Sequence, residues 1–381
     1  MEEQIARIGM AVEAFDAQGW HRTGTDVDAA SGKWLAAEIE RIGLRADLEV
    51  FDLSRIVIEK ASVETNGRII EGLPAFDGGF TESAGVSGRL GAAGSDAEIG
   101  VLVLDGEAAN RSAEELRRGN QHLALVAITV GRRPGLMAHN ATHFNYPFGM
   151  PVLQVSSEER EFLESAAASG AEVTVTARIN RVPSQSSNVL ARWSGSDAAA
   201  APVVVTTPRS CWWQCASERG GGIAAWLEVA RKVVEAEPIR PVWFVAFSGH
   251  ELGHLGSDAF LERRPAMPKQ AHTWVHIGAN VGGAVEPDVQ IGASDAELLE
   301  MGRLSMATVG VTAITLRPAG LVPGLESQEM HSRGGRVIAL VGGNAHFHLE
   351  SDRWPDAVDA KAVAEQANAV ANLVLILADT R

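Results

Sequence analysis

The sequence predicts an α/β fold, a largely parallel mixed sheet flanked by helices, with an inserted β-rich domain. Three observations carry this expectation. After Pro183, apolar strand-like runs alternate with amphipathic helical runs to the end of the chain, as in a sheet covered by helices. Residues 54–182 read instead as short strands and turns. Residues 1–53 show helical and then strand periodicity, which assigns 1–53 plus 183–381 to the α/β domain and 54–182 to the insert.

Residues 1–16 and 28–43 carry apolar side chains at helical spacing, separated by "HRTGT", a polar turn. "RADLEVFDL" then alternates as a strand. In the insert, "ASVET" and "RIIEG" flank Asn66-Gly67, a pair that favours a tight hairpin turn. "IGVLVLDG", "HLALVAITV" and "MPVLQVS" follow as strands and "SEEREFLESAAASG" as a helix. The second part alternates: "PVVVTT", "GGGIAAWLEVARKVVEA", "PVWFVAFS", "SDAFLERR", "HTWVHIGAN", "DAELLEMGRLSMA", "TAITLRP", "RVIALVG" and "DAKAVAEQANAVANLVLILAD". "GSDAAAAP" reads as a surface loop.

Composition bounds the partners. At 381 residues and 46% hydrophobic content, the chain can bury more than one core. A net charge of −15 without a basic cluster disfavours nucleic acid and anionic membranes and favours a small-molecule or peptide substrate. A homo-oligomer is left open. "MEEQIARIGMAVEAFDAQGW" lacks the basic and continuous apolar regions of a secretory signal, and no apolar run of roughly 18 residues follows, so the expectation is a soluble, cytoplasmic protein. Cys211 and Cys215, four apart in "SCWWQC", are a poor basis for a disulfide framework and agree with a reducing compartment.

In such sheets ligands bind beyond the carboxyl ends of the strands. There, after "VWFVAFS", stands "GHELGH", with His250, Glu251 and His254 spaced H-E-x-x-H. A zinc-protease helix is one reading. Gly249, Gly253 and Gly256 oppose it, since each costs roughly 1 kcal/mol relative to Ala in a helix interior. A strand-end loop is the other reading, with His254 a coincidence of spacing.

Strand, "SGHELGHLGS", then helix resembles the zinc aminopeptidase family that includes glutamate carboxypeptidase, the transferrin receptor ectodomain and glutaminyl cyclase. "HRTGT" with "SGKWLAAEIERIGL", "MPVLQVSSEE", "VVVTTPRSCWWQCASERGGGIAAWLEVAR", "FHLESD" and "PDAVD" extend the resemblance over nearly the whole chain. It implies a zinc exopeptidase-like fold with a protease-associated-like insert. The family holds two zinc ions, and the resemblance carries its ligand positions over incompletely. The first His falls on Pro208 and its orienting Asp on Ser210; the bridging Asp falls on Glu218, one methylene longer; the second Asp falls near Gly278, between His276 and Asn280. The base Glu falls on His250, the ligand Glu on Glu251 and the last His on His348. The surviving set, Glu218, Glu251 and His348, implies one divalent metal, Zn2+ in the first instance, with an open fourth position. His250 then shuttles the proton during hydrolysis of an amide in a peptide or small N-acyl compound.

Around this centre, Arg209 is a candidate for a substrate carboxylate, Trp212 and Trp213 for a pocket wall, and Cys211 for a thiolate or ligand. Each has a plainer reading. Glu218 at a helix start complements the dipole, Arg209 is a salt-bridge partner, and the tryptophans and cysteines are core. His254, His276 and His346, and His139 with His143 in the insert, read as packed or hydrogen-bonded histidines. Two rival functions keep the same fold: a metal-independent enzyme using His250 with carboxylates or Cys211, and a binding protein without catalysis.

Overall fold

The computed structural model describes residues 1–119 and 121–379. The chain opens with helices α1 (Glu2–Asp16) and α2 (Asp26–Arg41), the second capped by the Thr25 hydroxyl, which accepts from the Asp28 N–H. Strand β1 (Ala46–Thr65) runs on into a hairpin with β2 (Arg68–Glu71), turning at Asn66 and Gly67, where φ is +52° and +74°. Then come β3 (Leu73–Pro74), β4 (Val86–Ala92), β5 (Ile99–Leu104), α3 (Gly106–Arg118), β6 (Ala124–Thr129), β7 (Val152–Ser156) and α4 (Arg160–Ala168). The long β8 (Glu172–Trp193) leads back to β9 (Val203–Pro208), α5 (Gly221–Ala236), β10 (Val242–Phe247), α6 (Leu255–Arg263), α7 (Met267–Gln270) and β11 (Thr273–Ile277). The chain ends with β12 (Asp288–Ala293), α8 (Ala296–Thr308), β13 (Thr315–Leu316), α9 (Leu325–Ser332), β14 (Val337–Gly343) and α10 (Ala360–Asp379).

The predicted α/β class holds. Strands β14, β11, β9 and β10 are mutually parallel, with β12 and β8 antiparallel on either side, so the sheet is largely parallel but mixed. These strands are apolar on both faces because both are covered. Helices α1, α2, α5, α8 and α10 bury one face around Trp226, Phe244, Val205 and Ile277. The other face packs Phe247, Phe260, Trp274 and Met330. Helix α10 is long and apolar enough by composition to suit a membrane span, yet 61% of its most apolar window is buried, and it packs on α5, α8 and α1.

Strands and helices missing from the sequence reading are β3, β4, α3, the long β8, α7, β12 and α9. "TAITLRP" forms only the two-residue β13. The assigned boundaries at 54 and 183 do not fall in linkers: Ser54 pairs with Pro183 inside one antiparallel ladder of β1 and β8. Residues 86–156 contribute the parallel strands β4 to β7, joined to the ladder where β4 pairs β8.

Candidate functional site

The parallel strands β9, β10, β11 and β14 end on the same side, and the polar residues that follow them gather there. Three left-handed residues, two of them glycines, shape the β10 loop. Gly249 and Gly253 have φ of +85° and +79°, and His254 itself sits at +65°. The loop therefore makes only a single 3-10 turn over His250–Leu252. H-E-x-x-H here is not helical, as the glycines imply. His254 packs against His250: its ring centroid lies 5.2 Å from that of His250, edge to face.

His250 Nδ1 stands 2.5 Å from Glu326 Oε1, a carboxylate delivered by α9. The side chain of His250 is 12% exposed and that of Glu326 is buried. Burial and then the Arg219 guanidinium push the His250 imidazole down to about 4, against the pull of Glu326. Glu326, penalised by burial, is still held well below the usual carboxylate range by His250, His254 and His276. His276 Nε2 lies 4.0 Å from Glu326 Oε2, and its Nδ1 is fixed by the Thr206 hydroxyl at 2.9 Å.

Beside this group lies a second. Glu218 Oε1 is 2.7 Å from Arg219 Nη2 and 3.2 Å from His348 Nε2. Asp352, four residues beyond His348, accepts from the Ser217 and Glu218 N–H groups at 2.8 Å and so holds the turn that presents Glu218. Burial opposes ionisation of Glu218, but Arg219, His348 and His250 outweigh it and bring it to about 2. The His348 Nδ1 is bonded to the Ala138 carbonyl at 2.7 Å, so a loop of the insert sets this ring's orientation.

The implied trio Glu218, Glu251 and His348 does not assemble. Glu251 turns away: its Oε1 accepts from the Thr23 N–H and its Oε2 from the Ser210 hydroxyl, each at 2.7 Å. Buried with both oxygens engaged, it is raised to about 7 chiefly by desolvation. Its place as a metal ligand and catalytic residue is thereby corrected to a brace between the "HRTGT" turn and the β9 loop.

Three predicted substrate contacts are corrected as well. Arg209 is fully buried, paired with Asp28 at 2.9 Å and donating to the Ser187 and Asp28 carbonyls, so it is out of reach of any substrate. Cys211 is buried and joined to Cys215 in a disulfide, which overturns the reading of two thiols. Trp212 is core, edge-on to Phe76 and donating to Asn140 Oδ1. Trp213 reaches a cavity of roughly 500 Å3 that it shares with Trp20, Arg22, Leu349 and Glu350. His346 bonds Ser351, away from the centre, and His139 and His143 line a separate cavity in the insert.

Sequence reasoning missed Glu326, Arg219 and Arg22. Glu326 lies in "GLESQEM", which carries no motif. Arg219 adjoins a predicted ligand, and that adjacency of charges was the available signal. Arg22 lies over the faces of Trp20 and Trp213 at 4.7 and 5.1 Å, and burial lowers it to about 10.

Comparison with known proteins supports the architecture. Residues 188–374 match the family model "Peptidase family M28". No curated protein matches the chain. Among solved structures, a zinc aminopeptidase from Bacillus subtilis is 16% identical with a TM-score of 0.78, over 99% of this chain and 97% of that one. A peptidase M28 precursor from Shewanella amazonensis is 16% identical with a TM-score of 0.80, over 100% and 96%. Tannerella forsythia glutaminyl cyclase is 10% identical with a TM-score of 0.53, over 97% and 98%. At such identities the likeness is one of fold.

Proposed function

We propose, from the match of residues 188–374 to peptidase family M28, that the chain hydrolyses an amide bond in a peptide or a small N-acyl compound, with His250 moving the proton. The family and the zinc aminopeptidases among the structural neighbours support a metal-dependent, peptidase-like hydrolase. The residues standing at the family's ligand positions do not fit an ion: both Glu251 oxygens are bonded to protein groups, and the Arg219 cation stands against Glu218. No step is therefore routed through a metal at that place.

The observation that carries the reading is the Glu326–His250 contact. With the ionised Glu326 accepting from Nδ1–H, the imidazole presents Nε2 as an acceptor, the arrangement by which a carboxylate orients a histidine base. His250 takes a proton from the attacking water and returns it to the leaving nitrogen. Arg219, buried and paired with Glu218, acts through its charge on His250, helping to keep the imidazole neutral and able to accept a proton. The cavity with Trp213 and Arg22, next to Leu349, supplies an aromatic wall and a cation for the substrate's remainder.

The test is turnover of a panel of aminoacyl amides and N-acyl amino acids. Wild type is expected to cleave at least one, and His250→Asn to lose about 100-fold in kcat, the scale of one general base. A folded wild type inert on the whole panel rejects the reading. Activity that survives exhaustive chelation assigns the reaction to the metal-independent alternative.

A further inference from the structure

We propose that Glu326 Oε2, His254 Nε2 and His276 Nε2 form a site for a single transition-metal ion, separate from the positions that family resemblance assigns. The donors of His250, His254 and Glu326 lie within 4.8 Å of one another, and His276 Nε2 is 4.0 Å from Glu326 Oε2. Tetrahedral zinc with bonds of about 2.0–2.1 Å separates its donors by roughly 3.4 Å, so the 4.0 Å between His276 Nε2 and Glu326 Oε2 has to shorten on binding.

Two of the proposed donors have no hydrogen-bond partner. His254 Nε2 and Glu326 Oε2 are both buried and unsatisfied. A buried polar atom without a partner is costly, and two of them on residues whose ligand atoms lie within 4.8 Å of one another point to a ligand that satisfies both. The third donor is already oriented: Thr206 holds His276 Nδ1 and leaves Nε2 directed to Glu326. Gly324, the N-cap of α9, lies against the His276 ring at φ +89°, a backbone angle that glycine adopts freely and that turns the chain into the carboxylate-bearing helix there.

Two imidazoles and one carboxylate are a borderline-soft set suited to zinc, with a fourth position left open. Glu326 is shared: Oε2 turns to the ion while Oε1 keeps its contact with His250. The sequence elements supplying the site are the β10 loop, β11 and α9, whereas the implied trio draws on the β9 loop, the β10 loop and the segment after β14. Binding at this site does not depend on the substrate proposed above.

The experiment is equilibrium dialysis of full-length protein against Zn2+, followed by elemental analysis and calorimetric titration. Wild type is expected to retain about one zinc per chain, and Glu326→Gln and His276→Asn to weaken binding by at least about 10- to 100-fold. Glu251→Gln and Glu218→Gln are expected to bind as wild type does. His254→Asn, in the half-buried β10 loop, serves as the ligand variant if Glu326→Gln fails to fold. No zinc on folded wild type overturns the site, and so does zinc lost in Glu218→Gln but kept in Glu326→Gln. These readings report binding only, so an inert but zinc-loaded protein fails the hydrolase proposal and leaves this one standing.

Discussion

At the scale of single residues, Glu251 shows how burial redirects a carboxylate. Its two oxygens are satisfied by Thr23 and Ser210, and desolvation raises it to about 7 from an ordinary 4.5. Between those values the folded chain holds a proton that the unfolded chain releases. Its contribution is therefore complete below about pH 4.5 and is lost as pH rises through 7, by an amount on the order of 3 kcal/mol. Asp352, also raised to about 7 by burial, adds a parallel loss. Glu251→Gln removes this contribution, so on going from pH 5 to pH 8 the variant is expected to gain about 3 kcal/mol of unfolding free energy relative to wild type. Denaturant titrations at several pH values measure it. An unchanged slope places the Glu251 charge elsewhere.

At the scale of elements, the strands and their polar ends were legible because apolar runs between glycines and prolines mark a buried parallel sheet, as in "PVVVTT" and "VWFVAFS". The non-helical course of "GHELGH" was legible too, from Gly249 and Gly253. That His254 nevertheless faces His250 was not, because it depends on two successive left-handed residues. Helix α9 was missed because "LESQEMHS" is short and shows weak apolar periodicity, so Glu326 reaches the site only through tertiary packing. The same holds for Glu251, whose partners come from distant segments. The Cys211–Cys215 disulfide pins the loop from β9 to α5, which carries Trp213 and Glu218. Closing so short a ring stabilises by about 2 kcal/mol in the chain-entropy account. Reductant is expected to lower the melting temperature of wild type by a few degrees and leave Cys211→Ser unmoved. Two thiols titrating in unreduced, denatured protein contradict the bond.

At the scale of the whole molecule, the insert and the α/β domain are expected to unfold together. Strands β1 and β8 pair without interruption from Ala46–Ala191 to Thr65–Val173, with one irregularity near Ile58, so no flexible linker separates the two parts. A shared apolar cluster joins Leu73, Phe76, Ala138 and Phe144 of the insert to Trp212, Trp213 and Leu252 of the α/β domain. The loop at 138–141 also reaches the site: the Ala138 N–H donates to the His348 carbonyl, and the Ala141 N–H to that of Glu251. Independent domains joined by small polar contacts move and melt separately, whereas an interface that shares a core and continuous strands couples them. Calorimetry is expected to give one endotherm whose calorimetric and van't Hoff enthalpies agree. Phe76→Ala, which removes an aromatic from the shared cluster and costs roughly 3–5 kcal/mol, is expected to shift that single transition downward. A first, lower transition confined to residues 66–171, detected as early loss of amide protection there, contradicts the coupling and makes the insert a separately folding cap.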